Sequence, residues 1–237
     1  KLGMSVFGGF GELVQIPHKW VVPLPSGFSL LGAMSLGTAG LTAGACVKKI
    51  LNNNPSFKSP VLVSGATGGV GSVAVNLLSN LNFEVHAITG KSNEESILKK
   101  MGASKVIDRN EFMTEPVKAL DKAIYSAAVD TVGGDILSKM LSMIESHGSV
   151  ACCGNVAGMK FTSSVFPFIL RGVSLIGIDS AESDINFKKE IWGLFSNEWS
   201  LDLDEYSRVI ALEDVGNEIT KILDGKQVGR VVIKHGD

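Results

Sequence analysis

Between residues 58 and 180 the chain alternates short apolar runs with amphipathic stretches. Residues 61–63 and 85–88 are nearly continuous in apolar side chains, as strands buried on both faces require. Between them, apolar residues from Val70 to Leu81 recur at helical spacing, which predicts a helix with one face on a core. Similar runs predict four more strands, near residues 106–107, 127–132, 149–153 and 173–178. The alternation predicts an α/β fold, a doubly wound parallel sheet covered by helices on both faces.

The N-terminal residues follow a different pattern. Apolar residues alternate among glycines and prolines over residues 8–25, which predicts short antiparallel strands. Pro17, Pro23 and Pro25 keep these strands short, because proline cannot donate to a strand ladder. Residues 30–50 are small and apolar, and they predict a tightly packed helix or a pair of helices.

The C-terminal residues also leave the alternating pattern. An acidic stretch that carries Trp and Phe predicts a helix over 185–199, and an amphipathic pattern predicts another over 212–223. Residues 230–234 predict a final strand. We expect this tail to rejoin the N-terminal β unit, which makes a domain that is discontinuous in sequence.

Composition excludes several classes of partner. The chain is 45% hydrophobic and 19% charged, which is typical of a compact globular protein and not of a disordered or fibrous one. Lys and Arg number 22 against 24 Asp and Glu, so no positive field attracts nucleic acid or an anionic membrane. No apolar run is expected to approach the roughly 20 residues that span a bilayer. We therefore predict a small-molecule substrate, with neither nucleic acid nor membrane as a partner.

The cysteines and histidines indicate neither a disulfide framework nor a metal site. Cys46, Cys152 and Cys153 are odd in number and two are adjacent, which favours the reducing cytoplasm. Neither they nor the four scattered histidines have zinc-site spacing, so we predict no metal. The sequence begins without an initiator methionine and in a pattern typical of the middle of a β domain. We therefore expect it to be a fragment.

A glycine-rich segment, SGATGGVGS from Ser64 to Ser72, joins the first predicted strand to the helix that follows. In this arrangement the N–H groups at the helix start face a diphosphate, Gly68 and Gly69 leave it room, and Gly71 lets helix and strand pack closely. The glycines alone could form a plain tight turn. The strand before, the helix after and a second strand on schedule favour a dinucleotide site. The predicted contacts from this segment are Thr67, Gly68, Gly69 and Val70.

Other catalytic motifs do not fit the sequence. Gly90-Lys91-Ser92 resembles the end of a P-loop, but Val85 stands where the first glycine of that motif is needed. No Tyr-x-x-x-Lys pair and no Gly-x-Ser-x-Gly elbow occurs, so a short-chain dehydrogenase and a serine hydrolase are not supported.

The tip of the second strand should select the cofactor. An Asp or Glu about 20 residues past the glycines would bind the 2′-hydroxyl of NAD, whereas this chain has Thr89, Gly90, Lys91 and Ser92 there. An ammonium and a hydroxyl can bind a 2′-phosphate, with roughly 1.5–3 kcal/mol for each charge-assisted contact. We predict NADPH bound by these four residues; alternatively, Lys91 is a solvated loop lysine. Arg109, after the third strand, either covers the adenine, approaches the same phosphate or is an ordinary surface arginine.

Two further strands end where the cofactor should run. The fourth ends at Asp130 and Thr131 and the fifth at Cys153, Gly154 and Asn155, at the sheet edge where doubly wound folds bind ligands. We predict cofactor contacts from Thr131, Cys153, Gly154 and Asn155. No basic residue adjacent in sequence would activate Cys153, so we interpret it as a small apolar wall beside the nicotinamide and not as a nucleophile.

Together these motifs resemble the medium-chain dehydrogenase/reductase superfamily. The motifs that carry the resemblance are residues 8–25, 37–43, the Gly65 loop, 130–133 and 229–232. They extend over nearly the whole chain. Within the superfamily the sequence is similar to the zinc-free quinone-oxidoreductase group and its acryloyl-CoA reductase branch. Residues 166–173 and 177–180 are the most specific part, and Thr89-Gly90-Lys91 is similar to that branch's Ser-Gly-Arg.

The resemblance implies how the chain is divided and what it does. A Rossmann NADP-binding domain, residues 36–180, would lie between residues 1–35 and 181–237, which form a partial GroES-like β domain from both chain ends. Hydride would pass from NADPH to the activated C=C of acryloyl-CoA or a similar enoyl thioester or ketone, or to a quinone. The family's opening segment, with a tyrosine near the substrate, is absent from this sequence, so no catalytic residue is assigned.

The resemblance also implies a position for Thr38 and an assembly. Thr38 would lie near the nicotinamide; alternatively, its hydroxyl bonds its own helix backbone. A homodimer would form through the edge strand at 173–179.

The competing class of function is a non-catalytic NADPH-binding module used for sensing or partner contact.

Overall fold

A six-stranded parallel sheet, in the order β3-β2-β1-β4-β5-β6, forms the centre of the computed structural model. The structure describes residues 2–3, 5–199, 201 and 207–236. The strands are β1 (Val61–Val63), β2 (Val85–Thr89), β3 (Ala103–Asp108), β4 (Tyr125–Asp130), β5 (Ile144–Cys152) and β6 (Ser174–Gly177). The strand order reverses between β1 and β4, and doubly wound sheets bind ligands at such a switch point. The predicted fold class, a doubly wound Rossmann sheet, is confirmed.

Helices cover both faces of this sheet. They are α1 (Leu30–Leu51), α2 (Gly69–Asn80), α3 (Glu95–Lys100), α4 (Arg109–Phe112), α5 (Gly134–Ser142), α6 (Phe166–Arg171) and α7 (Ile185–Asn197), while α8 (Val215–Leu223) lies in the C-terminal tail. Val61 and Val63 point into the core beneath α1, α2 and α7, while Leu62 points into the core beneath α5. Alternate residues of a strand face opposite sides, so three apolar residues in succession are required for burial on both faces.

Helix α1 agrees with its predicted bounds to within one residue. It has 22 residues and contains an 18-residue window with a mean hydropathy of 1.5, which meets the length and composition of a membrane span, so the expectation that no run approaches that length is wrong. Half of its apolar window is buried within the fold, where Val47 and Ile50 are fully covered, as in the core helix of a globular protein. Gly37, at φ 50° and ψ −150°, breaks the helix into two segments, so the pair of helices is present, which was one of the two predicted alternatives.

The two chain ends differ from their predicted patterns. Among residues 5–25 the structure describes a 3-10 turn at His18–Trp20 and no strand, so the short antiparallel strands predicted there are wrong. Proline removes ladder donors, and apolar side chains in the segment face outward: Phe7 is 96% exposed and Leu13 is 93% exposed. Alternation of apolar residues predicts a strand only where another strand is present to pair with it.

A second, two-stranded sheet lies in the C-terminal tail. Strand β7 (Ser207–Ala211), which was not predicted, pairs in parallel with β8 (Arg230–Lys234). A 3-10 turn at Leu212–Asp214 precedes α8, so the amphipathic helix begins three residues later than predicted. The tail returns to the centre of the fold, since the amide of Gly229 donates to the carbonyl of Thr67 in the glycine loop at 3.1 Å.

Candidate functional site

The glycine loop joins β1 to α2 at the switch point of the sheet. Gly65 lies in the left-handed region at φ 60°, and its carbonyl accepts a hydrogen bond from the amide of Gly68 at 2.9 Å. Gly68 is the N-cap of α2, and no side chain of the described residues caps this helix. The unpaired N–H groups of a helix start carry a partial positive charge, which suits an anion.

Close approach requires glycine at a second loop position, Gly71. A Cβ at Gly71 would lie 2.3 Å from the carbonyl oxygen of Gly65 and 2.8 Å from Cα of Ala66, so only glycine lets α2 pack this closely on the loop. A Cβ at Gly68 would lie 3.2 Å from the same Gly65 oxygen. The result is a cradle of bare backbone at a helix N-terminus, which fits the diphosphate of a dinucleotide.

Arg230 lies at the mouth of this cradle, a position that the sequence pattern did not reveal. Its Nε donates to the carbonyl of Ser35 at 2.9 Å and its Nη2 to that of Leu36 at 3.4 Å, immediately before the helix break at Gly37. A Cβ at Gly69 would lie 2.6 Å from Nη1. One guanidinium thus connects β8, the break in α1 and the first residue of α2. The only sequence signal was the Gly-Arg-Val-Val motif, which identifies the residue but not its contacts.

The tip of β2 brings together residues predicted to select the cofactor. The hydroxyl of Thr89 is buried 3.1 Å from that of Thr67 and accepts a hydrogen bond from the amide of Lys91 at 3.0 Å. The ammonium of Lys91 donates to the carbonyl of Gln227. Burial lowers the pKa of Lys91, an effect that the nearby carboxylate of Glu94 opposes. Lys91 is thus a half-buried, bonded residue and not a solvated loop lysine.

A carboxylate lies beside these residues, which the sequence pattern did not indicate. Ser92 donates its hydroxyl hydrogen to Asp108 at 2.9 Å. The same carboxylate accepts from the amides of Asn110 and Glu111, and these bonds, the one from Ser92 first, lower the pKa of Asp108. Arg109 packs over Gly90, where a Cβ would lie 3.0 Å from the guanidinium carbon. The region around the β2 and β3 tips therefore holds two cations, Lys91 and Arg109, and two carboxylates, Glu94 and Asp108.

The end of β4 is tied to the glycine loop by a buried acid. The carboxylate of Asp130 is fully buried and accepts from the hydroxyl of Ser64 at 2.8 Å and from the amide of Gly133 at 3.0 Å. The hydroxyl of Thr131 donates to the carbonyl of Ser64 at 2.8 Å. Both side chains hold β4 against the loop after β1. A cofactor contact from Thr131 therefore stays a prediction.

Three thiols lie close together where the end of β5 meets α1. The thiol of Cys153 donates to the carbonyl of Asp130 at 3.4 Å. A hydrogen bond with Cys153, followed by burial, raises the pKa of Cys46 well above its usual value. Burial, followed by the charge of Asp130, raises the pKa of Cys152 to about 12. Since the thiolate is the reactive form, Cys46 and Cys152 are poor nucleophiles. The interpretation of Cys153 as a wall beside the nicotinamide stays a prediction.

The remaining predicted contacts lie just after the break in α1 and just after β5. Thr38 is exposed directly after the break at Gly37. Its carbonyl accepts from the hydroxyl of Thr42 at 2.7 Å, and that hydroxyl also bonds the hydroxyl of Ser180 at 2.7 Å. Gly154 packs against the backbone of Thr131, while Asn155 is exposed. Across the part of the chain that the structure describes, no three His, Cys, Asp or Glu side chains are grouped to hold a metal ion.

Comparisons with known proteins identify the family of this chain. The sequence profile of the zinc-binding dehydrogenase family matches residues 69–196. The chain is 41% identical over 99% of its length to YhfP of Bacillus subtilis, named as a quinone oxidoreductase, and covers 72% of that protein. The chain belongs to the medium-chain dehydrogenase/reductase superfamily. The family predicted from the sequence motifs is thereby confirmed.

Within this superfamily the chain is similar to the acryloyl-CoA reductase branch. It is 35% identical to the acrylyl-CoA reductase AcuI of Ruegeria pomeroyi over 98% of its length, and covers 71% of it. The yhdH oxidoreductase of Salmonella enterica in complex with NADP superimposes with a TM-score of 0.92 at 34% identity, over 97% of this chain and 71% of that one. Bacillus subtilis yhfP with NAD bound superimposes with a TM-score of 0.95 at 41% identity, over 99% and 72% of the two chains.

Proposed function

We propose that this protein is an NADPH-dependent oxidoreductase that acts without zinc. Its acceptor is the activated C=C of acryloyl-CoA or a related enoyl thioester or ketone, or a quinone. The observation that carries the proposal is the bare-backbone cradle from Gly68 to Gly71, at the switch point of a sheet that belongs to this superfamily.

The diphosphate end of the site rests on backbone and one guanidinium. The first amides of α2 and Nη1 of Arg230 face the same small region beside Gly69. A helix N-terminus and an arginine both favour a phosphate oxygen, the first through oriented N–H groups and the second through charge-assisted hydrogen bonds. We infer that these groups hold the diphosphate, assisted by Thr67 and Val70.

The adenosine end supports NADPH. Thr89 and Gly90 bring Lys91 and Ser92 to the position where the ribose 2′ group lies in this fold, and Arg109 packs over Gly90. Two cations at this position favour a 2′-phosphate over a 2′-hydroxyl. We assign all five residues to cofactor binding.

The nicotinamide end is assigned to Thr38, Thr131, Cys153, Gly154 and Asn155. When bound, the nicotinamide supplies the hydride; the residues of this chain orient the ring and exclude competing reactions. An activated C=C is an electrophile that a thiolate would attack. Thiols that burial and hydrogen bonding keep protonated are therefore compatible with such an acceptor.

The domains and assembly follow the family arrangement. We propose residues 36–180 as the NADP-binding domain and residues 1–35 and 181–237 as parts of a substrate domain. Strand β6 is an edge of the sheet, and next to it Ile169 and Leu170 are more than half exposed. An unpaired edge beside an apolar patch favours a homodimer. The three unpaired cysteines favour the reducing cytoplasm.

An activity assay on full-length protein tests the proposal. NADPH oxidation is followed at 340 nm, the absorbance of reduced nicotinamide, with acryloyl-CoA and with a simple quinone. We expect turnover of at least one acceptor and no loss of activity after dialysis against a chelator. Clear NADPH binding with turnover of neither acceptor would instead favour the non-catalytic module, and inhibition by the chelator would contradict zinc independence.

The variant Lys91→Glu tests the 2′-phosphate assignment. Reversing the charge should weaken NADPH binding about tenfold or more, because a charge-assisted contact is replaced by repulsion, while NADH has no 2′-phosphate to lose. Fluorescence titration with both cofactors measures the two dissociation constants. Lys91→Gln, which removes the charge without reversing it, is the matched control and should give a smaller loss in the same direction. Equal losses for NADPH and NADH would defeat the assignment.

A further inference from the structure

We propose that Asp108 is a specificity-determining residue, whose carboxylate limits the preference for NADPH over NADH that Lys91 and Arg109 create. The inference rests on the proposed function and deepens it. The residue lies in no sequence motif, and only the pairing of β2 with β3 brings it to the cofactor edge.

The sheet register places Asp108 beside the tip of β2. Thr89, the last residue of β2, is the partner of Asp108, the last residue of β3. The hydroxyl of Ser92, three residues beyond Thr89, donates to Asp108 at 2.9 Å. The ribose 2′ group of a dinucleotide lies beyond the end of β2, so this carboxylate lies at the sheet edge where that group is expected.

The carboxylate is fixed in place and remains charged. One oxygen accepts from Ser92, and the other accepts from the amides of Asn110 at 2.7 Å and Glu111 at 3.2 Å. These bonds lower the pKa of Asp108, the Ser92 bond most. All three donors are neutral groups, so the bonds hold the carboxylate without cancelling its charge.

This arrangement acts on the two cofactors in opposite directions. A 2′-phosphate carries close to two negative charges near neutral pH, and Asp108 repels it while Lys91 and Arg109 attract it. The 2′-hydroxyl of NADH can donate a hydrogen bond to a carboxylate. Asp108 also occupies the hydroxyl hydrogen of Ser92, which a 2′-phosphate would otherwise accept. We therefore infer a site that accepts both cofactors, with a preference smaller than its two cations alone would give.

The variant Asp108→Asn removes the charge and keeps the shape. Asparagine caps a helix as well as aspartate does, so α4 and its connection should be retained. In fluorescence titrations of the full-length protein, we expect the dissociation constant for NADPH to fall about three- to tenfold, as one partly screened unit charge allows. The dissociation constant for NADH should rise or remain within about twofold of the wild-type value. Glu111→Gln, the same charge change on the same short helix, is the control and should leave the NADPH/NADH ratio unchanged.

A second variant identifies the role of Ser92. If the freed hydroxyl binds the 2′-phosphate in Asp108→Asn, then adding Ser92→Ala should remove part of the gain in NADPH affinity. Equal changes for both cofactors in Asp108→Asn, or no change in the ratio, would overturn the inference and leave the proposed function intact. A wild-type protein that binds neither cofactor would overturn both.

Discussion

The variant Gly154→Ala is expected to lose about 3 kcal/mol of unfolding free energy, and cofactor binding with it. A Cβ at this position would lie 1.8 Å from the carbonyl oxygen of Thr131 and 2.2 Å from its carbonyl carbon. Both atoms belong to the backbone, so no change of rotamer relieves the overlap. The loops that follow β4 and β5 would have to separate, and the bond from the amide of Cys153 to the carbonyl of Asp130, 2.9 Å long, would be strained.

Urea unfolding followed by circular dichroism measures this loss, and the chain offers a matched control. Gly193 lies within α7, and a Cβ there would meet nothing within 4 Å. The same glycine-to-alanine change at Gly193 should therefore stabilise the protein, by about 0.5–1 kcal/mol, because alanine is the better helix former. A loss of unfolding free energy in Gly154→Ala together with a gain in Gly193→Ala would identify the crowding at Thr131 as the cause. A Gly154→Ala protein as stable as the wild type would contradict the close approach of these two loops.

The parts of this fold that could be predicted from the sequence are those encoded locally. Val61, Leu62 and Val63 are buried on both faces, and such a strand is recognisable from its own residues. The glycine loop was recognisable because strand, glycines and helix follow one another without interruption. The prediction of short strands before Pro25 was wrong because strand formation does not depend on local information alone. A strand forms only when a second segment pairs with it, and the alternation of apolar residues describes only one of the two segments.

The charge environment of the site could not be predicted, because it depends on contacts that are distant in sequence. Lys91 was recognisable as a cation at the tip of β2, but its bond to Gln227 crosses 136 positions of the chain. Asp108 reaches Ser92 only through the register of two neighbouring strands. A sequence pattern thus identifies which groups can bind an anion. The pairing of the strands determines which groups of opposite charge lie near them.

Arg230 is the clearest case of a contact encoded far from the site, and its replacement has the second large expected effect. Arg230→Gln should weaken NADPH and NADH binding alike, by about ten- to a hundredfold, because one charge-assisted contact to the shared diphosphate is lost. In the wild-type protein the guanidinium donates to the carbonyls of Ser35 and Leu36. The amide of glutamine can still donate to one of them. The melting temperature without cofactor should therefore change little.

Arg230→Leu separates the binding role from the structural one. Leucine keeps apolar volume but donates no hydrogen bond, so it should both weaken cofactor binding and lower the melting temperature of the cofactor-free protein, since the carbonyls before Gly37 lose their donors. If the glutamine variant bound both cofactors as tightly as the wild type, Arg230 would act only as a brace between β8 and α1. A loss confined to NADPH would move the guanidinium's role to the 2′-phosphate. If Arg230→Gln weakens the binding of both cofactors equally, while Asp108→Asn changes the binding of NADPH selectively, then the diphosphate and the 2′ group are held by separate charges.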